Sequence, residues 1–315
     1  MLTRALLRTK AMQVLYANFQ TENNVLTMQN ELNFSMQKAY DLYHFLLLLP
    51  IEITKMAKKS VKLSTKKLLK NKEDYNPDTK LAENDFAFKL SENKLFNKYV
   101  EKNKISWIPY QEQLQNIFSI VKETVFYKEY IDSTEASFVE DKKFWQKFFK
   151  SKEIFNEKFD EFLEDLSIYW LDDANVVLSF LEQTVRFYKP DVDDKENIEP
   201  LFKDQSDKIF IRDLAQVTFE NSEDYDRLIK TFLSSWDLER LTKIDIVLIK
   251  MAIAEFKTFP EIPVSVTLNE YIEIAKFYGT YKSRIFINGI LDNIVKRMRQ
   301  TSTLNKLNEL SINKL

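Results

Sequence analysis

Gly279 and Gly289 are the only glycines in a chain of 315 residues that also has seven prolines. The tight turns of strand-rich folds draw on glycine's access to positive φ and on proline's fixed φ. With so little turn material, an all-β architecture is excluded. Lys, Glu, Leu and Phe recur at helical spacing, and three of these four are good helix formers. The expected fold class is all-α. A chain of this length, 44% hydrophobic and 14% aromatic, can bury a sizeable core in one or two domains.

Other features remove whole classes of function. Without cysteine there is no disulfide scaffold, thiolate metal site or cysteine nucleophile. The single histidine, His44, sits in an apolar helical stretch and reads as structural; one histidine cannot build a His-rich metal site. No glycine-rich phosphate loop follows a strand. Carboxylate pairs are uninformative in a chain with 48 acidic residues. The chain is therefore read as a non-enzyme without metal or cofactor. Its N-terminus carries charges where a signal peptide needs an apolar run. The most apolar segment, Phe45 to Ile53, is interrupted by Pro50 and Glu52 and is too short to span a bilayer. These features predict a soluble cytoplasmic protein with no membrane contact. The net charge of −2 carries no global nucleic-acid signal, so the distribution of charge matters more.

The spacing of Leu7, Ala11, Val14 and Leu15 predicts a first helix over about Thr3 to Phe19 with one core-facing stripe. Arg4 and Arg8 lie along one edge of it and Lys10 along the other, with no acidic residue before Glu22. A second helix is expected over Met28 to Leu49, and Pro50 suits the first turn of a third. In that third helix Lys55, Lys58, Lys59, Lys62, Lys66 and Lys70 share one face, opposite Ile53, Met56, Ala57, Val61 and Leu68. No carboxylate between Lys55 and Lys70 offsets their repulsion, so an anionic partner would relieve it. Asn71 to Asn93 reads as a loop. Helices are expected over Gln111–Tyr130, Lys142–Phe149, Phe155–Trp170 and Asp172–Phe187, and the aromatic block Phe144 to Trp170 reads as core. Asp191 to Asp207, with seven carboxylates against Lys195 and Lys203, has a linker composition.

The last third is again helical. Ile209–Thr218 and Tyr225–Leu233 read as short amphipathic helices. Thr242 and Asp245 fit the start of a helix carrying Ile244, Val247, Leu248, Met251, Ala252 and Phe256, stopped by Pro260 and Pro263. Thr267-Leu-Asn-Glu270 fits a capping box, Gly279 a left-handed helix end, and Ser283 the cap of a final helix. Gly289 lies in that helix, where the expectation is a close helix–helix approach.

Two segments resemble the NusB family of transcription antitermination factors. One is Arg4 to Gln20, a basic helix ending in Gln13-Val-Leu15-Tyr16. The other runs from about Asp207 to Arg299. It contains Phe210-Ile-Arg212-Asp213-Leu214, Val264-Ser-Val-Thr267-Leu-Asn269-Glu270, Ala275-Lys276-Phe-Tyr-Gly279 and Phe286-Ile-Asn288-Gly289-Ile-Leu-Asp292. The resemblance implies a NusB-like helical bundle, with a large inserted helical region in this chain. Residues 1–31 would supply its first helix and 206–300 the remainder, with 32–205 the insertion and 301–315 a tail. It also implies no catalysis, and binding of single-stranded, boxA-like RNA together with the ribosomal protein NusE, within an RNA polymerase antitermination complex on ribosomal RNA transcripts. Arg4 and Arg8 match two arginines of the family's basic helix, with Lys10 a further RNA-binding candidate, although Ala5 and Leu6 stand where further arginines are often found. Lys282, Arg284 and Phe286 match a second part of the RNA-facing surface, and Tyr16 and Asp245 match positions facing NusE. The face from Lys55 to Lys70 is a candidate extension of the RNA site. Two alternatives stay open: an RNA-modification accessory, since some RNA cytosine methyltransferases carry a NusB-like domain, and a protein-interaction adaptor that has lost RNA binding.

Overall fold

Thr3 opens the first helix by accepting the backbone N–H of Leu6 on its hydroxyl at 3.3 Å, which satisfies one of the donors a helix start leaves unpaired. The computed structural model describes residues 1–21, 23–66, 79–233, 241–280, 282–304 and 306–307. In chain order the helices are α1 Arg4–Asn18, α2 Val25–Leu47, α3 Leu49–Lys66, α4 Asp85–Glu92, α5 Lys94–Lys102, α6 Gln111–Glu123, α7 Val125–Asp132 and α8 Phe138–Lys150. They continue as α9 Glu157–Leu166, α10 Ala174–Phe187, α11 Asp194–Asn197, α12 Gln205–Glu220, α13 Ser222–Lys230, α14 Lys243–Thr258, α15 Val264–Tyr278 and α16 Ser283–Gln300. No strand forms among the described residues, and the all-α expectation holds. Among these residues no helix is long and apolar enough to cross a membrane.

The chain divides into two compact units. The terminal unit is Leu2–Met36 with Phe202–Leu315, and the middle unit is Met1 with Gln37–Leu201. In the terminal unit α14 is the central element. Its sequence is apolar almost all the way round, from Val247 through Phe256, and those residues are buried. A helix without a polar face needs neighbours on every side; α1, α12, α13, α15 and α16 supply them. Its N-terminus closes as the sequence predicts: Thr242 Oγ1 accepts Asp245 N at 3.2 Å, and Asp245 Oδ2 accepts Thr242 N at 3.0 Å. Its C-terminal carbonyls are met by Lys306, whose buried ammonium donates to Glu255 O at 3.1 Å and Phe259 O at 2.8 Å.

The middle unit is held by aromatic side chains with their polar ends satisfied. Phe45 stacks on Trp107 at 4.2 Å, and the Trp107 indole donates to the carbonyl of Phe45 at 2.8 Å. Asn84 caps α4 and also accepts the Trp145 indole N–H at 2.9 Å. Tyr130 donates to buried Asp141 at 2.6 Å. Burial pushes the Asp141 carboxyl up, against the lowering effect of its bonds to Tyr130 and the Asp85 N–H.

Several local expectations are corrected. Asp85–Glu92 is helical rather than loop, while residues 71–78 lie outside the described residues. The helix expected over Gln111–Tyr130 breaks at Thr124, whose extended backbone lets its hydroxyl cap α7. Thr267 is no cap: α15 already starts at Val264, and the buried Thr267 hydroxyl donates to Glu255. Lys282, not Ser283, is the N-cap of α16. Gly279 is extended, with φ −98° and ψ −178°. Its need for glycine is steric, since a Cβ there would lie 2.8 Å from both Ala275 O and Ser283 Cβ. Gly289 does lie inside a helix, but a Cβ there would meet nothing within 4 Å, so no close approach depends on it.

Candidate nucleic-acid interface

The three cations of α1 have different fates. Arg8 is 2% exposed. Its Nε and Nη2 donate to the two carboxylate oxygens of Glu255, each at 2.8 Å, and Nη1 donates to Glu270 at 3.2 Å. Glu255, fully buried, also accepts Thr267 Oγ1 at 2.8 Å and Tyr271 OH at 3.1 Å. Burial alone would lower the Arg8 pKa; its hydrogen bond to Glu255 and the surrounding negative charge raise it instead, so the guanidinium stays charged. Burial and then the Glu255 charge push Tyr271 well up, keeping it a neutral donor. Lys10 is buried as well. Arg4 keeps surface, its side chain 34% exposed, while pairing with Asp207 at 3.1 Å and approaching Glu261 at 3.9 Å. Both guanidiniums lie about 5 Å from the centroid of Phe210, within cation–π range.

The joint between α15 and α16 is built differently. Gly279 permits the last turn of α15 to touch the first turn of α16 at Ser283. Thr280 and Ser283 lock the turn reciprocally: Thr280 N donates to Ser283 Oγ at 2.9 Å, and Ser283 N donates to Thr280 Oγ1 at 3.2 Å. Lys282 is exposed, and Arg284 and Phe286 are half-buried. Near the end of α15, Phe277 is 84% exposed, and in the first turn of α16 Ile285 is 63% exposed. Lys276 pairs with Glu273. Gln13 of α1 donates to Tyr278 OH at 3.3 Å, so the middle of α1, rather than its basic start, is tied to the end of α15.

Such a surface can hold phosphates on its cations and present an aromatic face to an unpaired base. Phe277 is not among the residues the sequence motifs single out. The signal was there: Tyr271, Ile274 and Ala275 define the buried face of α15, and Phe277 falls off that face on a helical wheel. Of the positions matched to a partner, Tyr16 is half-buried and Asp245 buried. Asp245 Oδ2 closes the cap of α14, and Oδ1 has no hydrogen-bond partner among the described residues.

The lysine face belongs to the middle unit. Lys55, Lys58, Lys59 and Lys62 are exposed along α3, with Lys55 paired to Glu52 at 2.8 Å. Lys66 is the last residue of α3, and Lys70 lies outside the described residues.

A family model described as the NusB family matches residues 177–296. The transcription antitermination protein NusB of Syntrophotalea carbinolica is 42% identical over 90 residues, which are 29% of this chain and 58% of that protein. That of Salinibacter ruber is 36% identical over 107 residues, 34% of this chain and 67% of the relative. That of Bacillus licheniformis is 36% identical over 104 residues, 33% of this chain and 81% of the relative. No solved structure matches the chain significantly.

Proposed function

The chain belongs to the NusB family, and from that premise we propose that it is a non-enzymatic, RNA-binding transcription antitermination factor. The observation that carries the reading is the α15–α16 joint inside the matched region, with Phe277 largely exposed near the end of α15 and exposed Lys282 and half-buried Arg284 at the start of α16. In this reading the ligand is single-stranded, boxA-like RNA of a ribosomal transcript. Lys282 and Arg284 hold its backbone, Phe286 supports them, and Phe277 offers a base-stacking face. Arg4 adds a contact at the start of α1. Arg8 and Lys10 act from inside, holding α1 in place. The ribosomal protein NusE is the proposed partner, docking near Tyr16 and Asp245. Loading onto the RNA polymerase antitermination complex follows from the same reading.

The test is RNA binding by the full chain as a function of salt. Removing one cation that neutralises a phosphate should flatten the logarithmic salt slope by about 0.7 for single-stranded RNA. Lys282→Ala with Arg284→Ala should therefore lower the slope by about 1.4 and weaken binding about tenfold or more. NusE should tighten binding by the parent chain. An unchanged affinity and slope in the double variant would remove this joint from the RNA site. A second reading, a protein-interaction adaptor without RNA binding, draws on the burial of Arg8 and Lys10, which leaves Arg4 as the one α1 cation with much exposed surface. It predicts NusE binding by a parent chain that takes up no RNA.

A further inference from the structure

The middle unit contains a charged surface that the proposed function does not use. Helix α3 buries Ile53, Thr54 and Ala57. At 100° per residue, Lys55, Lys58, Lys59 and Lys62 fall together on the opposite side, and all four are exposed. Successive lysines therefore climb the helix about one cation or more per 5.4 Å turn. Lys55 has Glu52 beside it. Lys58 and Lys59 have no ion-pair partner among the described residues. Like charges one turn apart repel, and a polyanion laid along the face would turn that repulsion into attraction while releasing its own counterions.

We propose that the exposed lysine face of α3 is a second RNA-binding surface, one that grips the phosphate backbone without reading sequence. It lies outside residues 177–296, so it is an addition this chain makes to the matched region. The inference rests on the reading of the chain as an RNA-binding protein. The occupant is a polyanion because the face offers charge and almost nothing else: Leu63 is the one large apolar side chain exposed along it. Lysine's ammonium is a point charge without the fork geometry that lets arginine pair with a base edge, so contacts here position RNA rather than identify it.

The experiment compares a boxA-like single-stranded RNA with a scrambled RNA of equal length, using the full chain. Lys58→Gln, Lys59→Gln and Lys62→Gln together should weaken both RNAs to the same degree, by about tenfold at low salt, and flatten the salt slope by about 2. The triple Lys→Arg variant at these positions should keep the parent affinity. Lys282→Ala with Arg284→Ala should flatten the slope separately, by about 1.4, and the two losses should add when all five changes are combined. If the parent binds RNA and the triple Gln variant matches it in affinity and slope, the proposal is overturned while the α15–α16 reading stands. A triple Gln variant that loses stability but keeps RNA affinity also overturns it, by showing that the lysines serve the fold. A parent that binds neither RNA removes the functional reading itself and this proposal with it.

Discussion

Among the described residues, the terminal unit takes cations into its interior and the middle unit keeps its lysines and arginines outside. Both contain a helix that reads as basic in the sequence, α1 in one and α3 in the other. In α1, Arg8 is enclosed because Glu255 and Glu270 converge on it from α14 and α15. In α3, Lys58 and Lys59 have no ion-pair partner among the described residues and are exposed. One interior titratable group of the middle unit, His44, is instead held neutral among Tyr40, Tyr43, Phe96 and Tyr99. A basic helix is therefore a binding face only where the rest of the chain supplies no counter-charge. The buried pair stays rigid and barely feels salt, whereas the exposed face is screened by it.

The largest effect should come from breaking the buried pair. Arg8→Ala leaves the Glu255 carboxylate buried with Thr267 and Tyr271 but no cation, and such a change costs about 3–5 kcal/mol. Denaturant unfolding, with hydrogen exchange followed in α14, measures it. Arg8→Met combined with Glu255→Gln removes both charges and keeps an acceptor for Thr267 and Tyr271. That double variant should be more stable than Arg8→Ala alone. If Arg8→Ala unfolds like the parent, the contrast between the two units disappears.

The next effect distinguishes the units by pH. Burial lowers the His44 pKa to about 4, only partly offset by its Nδ1–H bond to Tyr40 O at 2.9 Å. The unfolded chain takes up this proton near pH 6.5 and the folded chain only near its depressed pKa. Stability is thus full above about pH 6.5 and declines as pH falls toward about 4. Between about pH 7 and about pH 5 this one group should remove about 2 kcal/mol from the middle unit. His44→Phe, which retains a ring against Tyr99, should lose that part of the pH dependence. The Arg8 guanidinium, held charged by its bond to Glu255, should contribute no decline in the same window. An identical pH profile for His44→Phe and the parent would exclude His44 as the source.

Where interactions are local, the sequence was readable. The Thr242–Asp245 cap and the apolar run of α14 sit within one element, and their pattern is visible without any fold. The fate of Arg8 was not readable, because its partner Glu255 lies 247 residues away and no helical wheel of α1 can contain it. The break at Thr124 escaped because apolar spacing continues across it; the capping hydroxyl that splits α6 from α7 is a weaker signal than the period. The candidate interface was half legible. Lys282, Arg284 and Phe286 came from a motif, but Phe277 needed attention to which face of α15 is buried.

The smallest effects test the two glycines, whose difference repeats the contrast at the scale of a single methyl group. Gly279 lies where the α15–α16 joint closes, and the added methyl of Gly279→Ala would meet Ala275 O and Ser283 at under 3.0 Å. Neither is the end of a flexible side chain, and Ser283 is itself locked to Thr280, so the joint must open. Overpacking of this kind costs about 1–3 kcal/mol and should also loosen RNA binding through Lys282 and Arg284. Gly289 is exposed in mid-helix with open space around the missing Cβ. Gly289→Ala should therefore stabilise α16 by up to about 1 kcal/mol, the difference in helix propensity. The two alanine variants should move the melting temperature in opposite directions. If Gly289→Ala lowers the melting temperature instead, the space around the missing Cβ is not open in solution and the contrast between the two glycines fails.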